Sequence, residues 1–348
     1  RKAKGKTVES RLTNHDSRIM QIIDTHAHWY PREFISLLDR EAAANGGKME
    51  RNEKGVPVFS LPGVLPHSAM PPLMVEPDLV IGEMEKRGIG TYVLGLTNPM
   101  VYWAPPAFGE KLAQTWNEAS SAVCQKYPGR FVGTIQLPMQ APALAVKEIE
   151  RAAKLPGLRA AYMATHINGR NLDDKAFWPV YERCEALGLP LFLHPLYPCG
   201  GERIAKHFMR NLCGNTYENG LAAASLVFGG VMDAFPGLVV MLPQAGGTFP
   251  WLIGRFDRGV KVRKELAHMK QPASAYLRRF YYDTVSHHPQ IMKFLTELVG
   301  ADRVMLGSDY NQDMSCERPV EFVQSVPGLS QRDRELILEG NARRLLKL

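Results

Sequence analysis

The chain has 348 residues, 45% of them hydrophobic, which is enough to bury a large core and, at this size, to close as one domain. Its formal net charge is +7, yet no basic run is interleaved with aromatic residues, so the excess reads as solvated surface that draws in a small anionic organic substrate and not nucleic acid. The longest apolar stretch, around Leu221 to Leu242, is interrupted by Asp233 and Pro236, so no membrane span is expected.

In chain order, residues 1–18 form a basic lead-in. Arg1 to Lys6 precede no apolar stretch and so do not form a secretory signal. Residues 19–348 are expected to make one domain. The first strand is predicted at Met20–His26, followed by a Gly- and Pro-rich insertion at 31–76 and a helix at Pro77–Arg87. Strand and helix then alternate: Tyr92–Thr97 with Glu110–Lys126, Phe131–Leu137 with Ala141–Lys154, and Ala160–His166 with Lys175–Leu187. The remaining strands are Pro190–His194, Leu238–Gln244, Phe280–Val285 and Arg303–Asp309, with helices at His288–Val299 and near Gln331–Leu346. Short β-branched or apolar runs alternating with helical periodicity signify repeated βα units and a parallel sheet. Eight such units predict an α/β fold, a (β/α)8 TIM barrel with an insertion after the first strand. The segments 31–76 and Cys199–Glu218 both follow strands, which puts them on the face where barrels carry their sites, as lids or substrate walls. The five cysteines are scattered without paired spacing, which fits a reducing cytoplasm.

His26 and His28 lie two apart at a strand end, and strand side chains repeat their facing every two residues, so both imidazoles point the same way. His194 closes the fifth strand and Asp309 the eighth, so four donors converge on one rim. Three imidazoles and a carboxylate suit one divalent ion, zinc first and manganese, iron or cobalt as alternatives, and leave positions open for catalysis.

Three longer stretches, Phe131–Pro142, Thr165–Asp173 and Gly247–Arg255, resemble the aminocarboxymuconate-semialdehyde decarboxylase branch of the amidohydrolase superfamily, and the likeness runs from Ile23 nearly to the C-terminus. The resemblance implies a barrel with one catalytic metal at His26, His28, His194 and Asp309. It further implies non-oxidative loss of CO2 from an aromatic or conjugated acid, and a homodimer in which Arg255 reaches a substrate carboxylate. Three positions depart from the pattern. The family's His followed by three glycines is here Gln244-Ala245-Gly246-Gly247; the insertion reads Val56-Pro57-Val58-Phe59-Ser60-Leu61-Pro62-Gly63 without an arginine; and Tyr310 is followed by Asn311-Gln312-Asp313. An amide has no titratable proton near neutrality, so Gln244 can only position substrate or water. These departures point away from the muconate semialdehyde itself as substrate.

His287 is a candidate to take over proton transfer, and Asp309 is a candidate base in its own right. His166, Asn168 and Gln136 are candidate substrate contacts, each with a structural alternative: a hydrogen bond that holds a loop or the backbone. Tyr102, Trp103 and Phe108 could wall an aromatic substrate or pack their loop. The leading expectation is a carboxy-lyase. A hydrolase acting on a lactone, amide or vinylogous acid through a metal-bound water deprotonated by Asp309, and a catalytically decayed binding barrel, stand beside it.

Overall fold

Eight of the strands are short apolar runs that bury nearly every residue, as expected where helices cover one face of a sheet and packed side chains fill the other. The computed structural model describes residues 22–64 and 67–348. The lead-in at 1–18 and the first two residues of the predicted opening strand, Met20 and Gln21, lie outside the described residues. The strands are β1 (Ile23–His28), β2 (Thr91–Gly95), β3 (Phe131–Gln136), β4 (Leu158–Ala164), β5 (Leu191–His194), β6 (Val240–Leu242), β7 (Phe280–Asp283) and β8 (Val304–Met305). They pair in parallel and in sequence order. The ring closes between β1 and the chain leaving β8: Thr25 donates to the Leu306 carbonyl at 2.8 Å, Tyr310 donates to that of His26 at 3.2 Å, and Ala27 bridges Tyr310. The result is the expected (β/α)8 barrel.

Proline starts most of the helices. It is the first residue of α2 (Pro77–Lys86), α3 (Pro106–Lys126), α4 (Pro142–Ala152), α8 (Pro289–Val299) and α9 (Pro319–Ser325). It is the second residue of α5 (Trp178–Leu187) and α7 (Phe249–Val262). The first helical N–H has no partner inside the helix, so proline loses nothing there and its fixed φ sets the start. α1 (Arg32–Glu41), α6 (Thr216–Phe228) and α10 (Asn341–Leu346) complete the set used below.

The boundaries shift in places that matter: the eighth strand, expected through Asp309, ends at Met305, so Asp309 lies in the loop that follows. β1 extends through His28, because its ladder to β2 continues to Gly95. The predicted last helix is broken by a wide turn at Leu336–Gly340. The insertion is more ordered than its glycine and proline content suggests: after α1 it forms a small antiparallel sheet of Lys48–Arg51, Pro57–Ser60 and Ser68–Ala69. Trp103 packs on Phe59 of that sheet, with ring centroids 4.7 Å apart, and on Phe108 at 5.9 Å, so the loop after β2 anchors the insertion.

A candidate metal centre at the strand ends

The strand periodicity that turns His26 and His28 inward brings them against His194 from across the barrel. The three rings stand nearly perpendicular to one another, at 88–90°, with centroids 4.6–5.4 Å apart. Asp309 joins them, its Oδ1 lying 3.0 Å from His28 Nε2 and 3.4 Å from His26 Nε2. All four residues are buried, and one donor atom from each lies within 4.8 Å of the others. Metal–ligand bonds of about 2.0–2.2 Å place donors roughly 3–4 Å apart, so the cluster has the dimensions of a single coordination sphere.

The far sides of two imidazoles fix which nitrogen faces the centre. His26 Nδ1 meets Asp283 Oδ2 at 2.7 Å, and His194 Nδ1 meets the Pro195 carbonyl at 2.9 Å. Each ring therefore donates Nδ1–H outward and leaves an Nε2 lone pair directed inward. His26 Nε2 is buried and has no hydrogen-bond partner, as a ligand atom should be before its cation is counted. Asp283 is itself held by the backbone N–H groups of Ala245, at 2.9 Å, and Val285, at 3.0 Å. Beneath them Asp24 accepts from His26 N and Ser308 N, both at 3.0 Å, and so ties β1 to the chain after β8.

The electrostatics agree with a cation-binding cluster. Burial opposes ionisation of Asp309, but the imidazoles of His26, His28 and His194 outweigh it and hold the carboxyl well below the usual range. Burial likewise opposes charge on His26, yet the Asp309 and Asp283 carboxylates raise it to about 9. His28 is lowered by burial, and His194 more strongly, by burial and then by its two histidine neighbours. Asp24 is pushed up to about 6, chiefly by burial.

The model of the amidohydrolase family matches residues 23–348. The chain belongs to the amidohydrolase family. Among its relatives, the 2-amino-3-carboxymuconate-6-semialdehyde decarboxylase of Dictyostelium discoideum is 34% identical over 276 residues, covering 78% of this chain and 77% of that one. Among solved structures, the apo form of Metarhizium anisopliae IDCase superposes with a TM-score of 0.82 at 24% identity, covering 94% of this chain and 97% of that one. The dihydroxybenzoic acid decarboxylase of Polaromonas sp. JS666, with bound manganese and the inhibitor 2-nitroresorcinol, superposes at 0.77 and 24% identity, with 94% and 97% covered. The chain thus lies in the branch of the amidohydrolases that holds the muconate-semialdehyde decarboxylases, and among its described residues no helix is long and apolar enough to cross a membrane.

Two cavities meet at this amidohydrolase centre. The larger, about 610 Å³, reaches His194, Gln244 and Asp309 from the side of the insertion and the segment after β5. The smaller, about 290 Å³, reaches Gln244 and Asp309 between α7 and α8 and has His287 in its wall. Gln244 sits at their junction. Its Nε2 points at Asp309 Oδ2 across 3.5 Å, and its Oε1 accepts from Asn219 at 3.1 Å. His287 is exposed and makes no hydrogen bond among the described residues.

The other sequence candidates fall elsewhere. His166 accepts at Nδ1 from Gly169 N, at 3.1 Å, so its Nε2 donates to the Tyr197 carbonyl at 3.2 Å; both nitrogens are engaged in holding loops. Asn168 donates to the Tyr102 carbonyl at 2.9 Å. Neither residue lines either cavity. Gln136 is sealed in the barrel with both amide atoms unpartnered, although its backbone is clamped by Asn117. Tyr102 accepts from Ala164 N and packs its loop with Trp103 and Phe108, away from both cavities. Arg255 is exposed on α7 and forms no ion pair among the described residues, while neighbouring Asp257 accepts from Ser274 N instead.

Sequence reasoning passed over Asp283. The signal was present, since an aspartate closing the seventh strand, two residues on from Tyr281, shares a facing with that residue and can reach the rim.

Proposed function

We propose that this chain is a metal-dependent non-oxidative decarboxylase of a small aromatic or conjugated carboxylic acid. The observation that carries the reading is a buried cluster of three histidines and one aspartate opening onto a cavity of about 610 Å³, in a chain whose relatives include decarboxylases. Three neutral imidazoles with one carboxylate favour zinc, and manganese, which the Polaromonas decarboxylase binds, takes the same donors. The bound ion would neutralise the substrate carboxylate and a neighbouring oxygen and fix the plane of the acid.

The chain's own residues supply the rest. Asp309 Oδ2 faces away from the histidines toward Gln244 and is the oxygen positioned to handle a proton. Asp309 is ionised at rest, so it must first collect a proton, from a substrate hydroxyl beside the carboxylate, before passing it to the carbon that loses CO2. The C–C bonding pair stays on the ring and CO2 departs. Gln244, held by Asn219, orients the substrate or a water by hydrogen bonding, and His287 exchanges protons with solvent at the mouth of the smaller cavity. A second copy of the chain covers the α7 face, where Trp251 is 70% exposed beside Phe294, and brings Arg255 to its neighbour's substrate.

The test is CO2 evolution. Protein reconstituted with zinc or manganese, incubated with a panel of hydroxybenzoic and conjugated diene acids, should release one CO2 per acid consumed. Hydrolysis of lactones or amides without CO2 would establish the hydrolase chemistry, and an inert metal-loaded protein would leave a binding barrel.

A further inference from the structure

The larger cavity contains a charge that the metal chemistry does not use. Arg210 lines it, after β5 and just before α6, in the same wall as Asn211 and Asn215. Among the described residues lining either cavity it is the sole lysine or arginine. It is half-buried, and its side chain forms no ion pair or hydrogen bond among the described residues. Arginines elsewhere that lie near carboxylates do pair, as Arg51 does with Asp39 at 2.7 Å and Arg278 with Asp302 at 3.0 Å. Asp313 lines the same cavity, but it is exposed and is not paired with Arg210. A guanidinium partly withdrawn from water without a counter-charge bears a desolvation penalty that an arriving anion removes, and its planar fork matches a carboxylate at two points.

The wall that carries Arg210 is tied down at both ends. Buried Glu218 accepts from Cys199 N at 2.9 Å, Thr216 donates to the Cys213 carbonyl at 2.9 Å, and His166 holds the Tyr197 carbonyl. Between these ties the backbone turns through two consecutive left-handed residues that are not glycine, His207 at φ 56° and Phe208 at φ 58°. Such a conformation is unfavourable for residues that bear a side chain and persists where the surroundings enforce it. Among its described residues the insertion contributes no lysine or arginine to the cavity lining, its one titratable residue there being His67, and Arg51 is committed to Asp39.

Building on the decarboxylase reading, we infer that Arg210 is a specificity residue that grips a second carboxylate of the substrate, remote from the one released. The acid is then a dianion. One carboxylate lies at the metal cluster and the other on the Arg210 fork, and the charge of +7 steers it in.

Two inert probes separate this from the parent reading. Ortho-nitrophenol mimics a hydroxy acid at the metal with a nitro group in place of the departing carboxylate; the same molecule with a para-carboxylate adds the remote anion. Calorimetric titration of zinc-loaded protein should give tighter binding of the carboxylated probe. Arg210→Gln should weaken that probe by about tenfold or more and leave ortho-nitrophenol within about twofold, at unchanged zinc content. Arg210→Lys, which keeps the charge but not the fork, should fall between. Equal weakening of both probes, or no weakening of either, overturns the role of Arg210 while the decarboxylase reading stands. Failure of the unaltered zinc-loaded protein to bind either probe sinks both.

Discussion

The floor of the larger cavity and its walls are built by different rules. The floor is made of residues at or just beyond strand ends: His26, His28 and His194 take their orientation from the period of β1 and β5, and Asp309 follows β8 by four residues. All four are buried, and Asp283, Asp24 and a backbone carbonyl hold the histidines and the chain after β8 from behind. The walls are loops, at the insertion and at 199–218, exposed over much of their length and carrying single polar groups such as Arg210. A rigid floor can therefore keep its chemistry while the walls exchange substrates.

If that division is right, damage to the floor should register in metal content before anything else. His194→Ala or Asp309→Ala should remove about one divalent ion per chain, read by elemental analysis, and abolish activity with it. Retained metal in both variants would break the comparison outright. A smaller effect is expected one layer back. Asp283→Asn keeps the shape but removes the charge that orients His26, so metal affinity should fall roughly tenfold to a hundredfold in a chelator competition. An unchanged affinity would make Asp283 a mere strand clamp.

Gln244 lies where floor meets wall, and it sharpens the comparison. Gln244→Ala removes one positioning bond, about 1–3 kcal/mol, so kcat/KM should drop roughly tenfold to a hundredfold with metal retained. A much larger loss would mean that this amide does more than position. Gln244→His, which supplies a titratable imidazole at this position, should raise decarboxylation if the proton route through Asp309 limits the rate.

The floor was legible in the sequence because its physics is local. Two histidines two apart, a histidine before proline at the end of an apolar run, and an aspartate shortly after the last apolar run are one-dimensional patterns that a barrel converts into convergence. Asp283 was not legible as a partner of His26, since the pairing spans 257 residues and an aspartate at a strand end has many possible roles. The long-range fate of His166 and Asn168 was hidden for a like reason: their partners, Tyr197 and Tyr102, belong to neighbouring loops whose approach depends on the closed ring. The small sheet in the insertion was masked by glycine and proline, which mark turns without revealing that the stretches between them pair. Arg210 drew no notice because nothing in a sequence shows that a cation lacks its counter-charge.

From Gln244 to Gly247 every residue has positive φ, at 52°, 56°, 76° and 57°. The four positions differ in what they tolerate. A Cβ at Gly246 would come within 2.7 Å of the Tyr282 ring, and one at Gly247 within 2.0 Å of the Thr216 carbonyl, so those two glycines admit no replacement. Residues 244 and 245 already bear side chains in the left-handed region, where unbranched residues are tolerated and β-branched ones become outliers. The evolvable alphabet of the loop is therefore narrow: drift can exchange histidine, glutamine, asparagine or glycine at 244, whereas valine, isoleucine and threonine are closed to it. A directed-evolution library that spends its diversity on unbranched polar residues at 244 and on alanine or glycine at 245 samples nearly all of the sequence space this turn can fold.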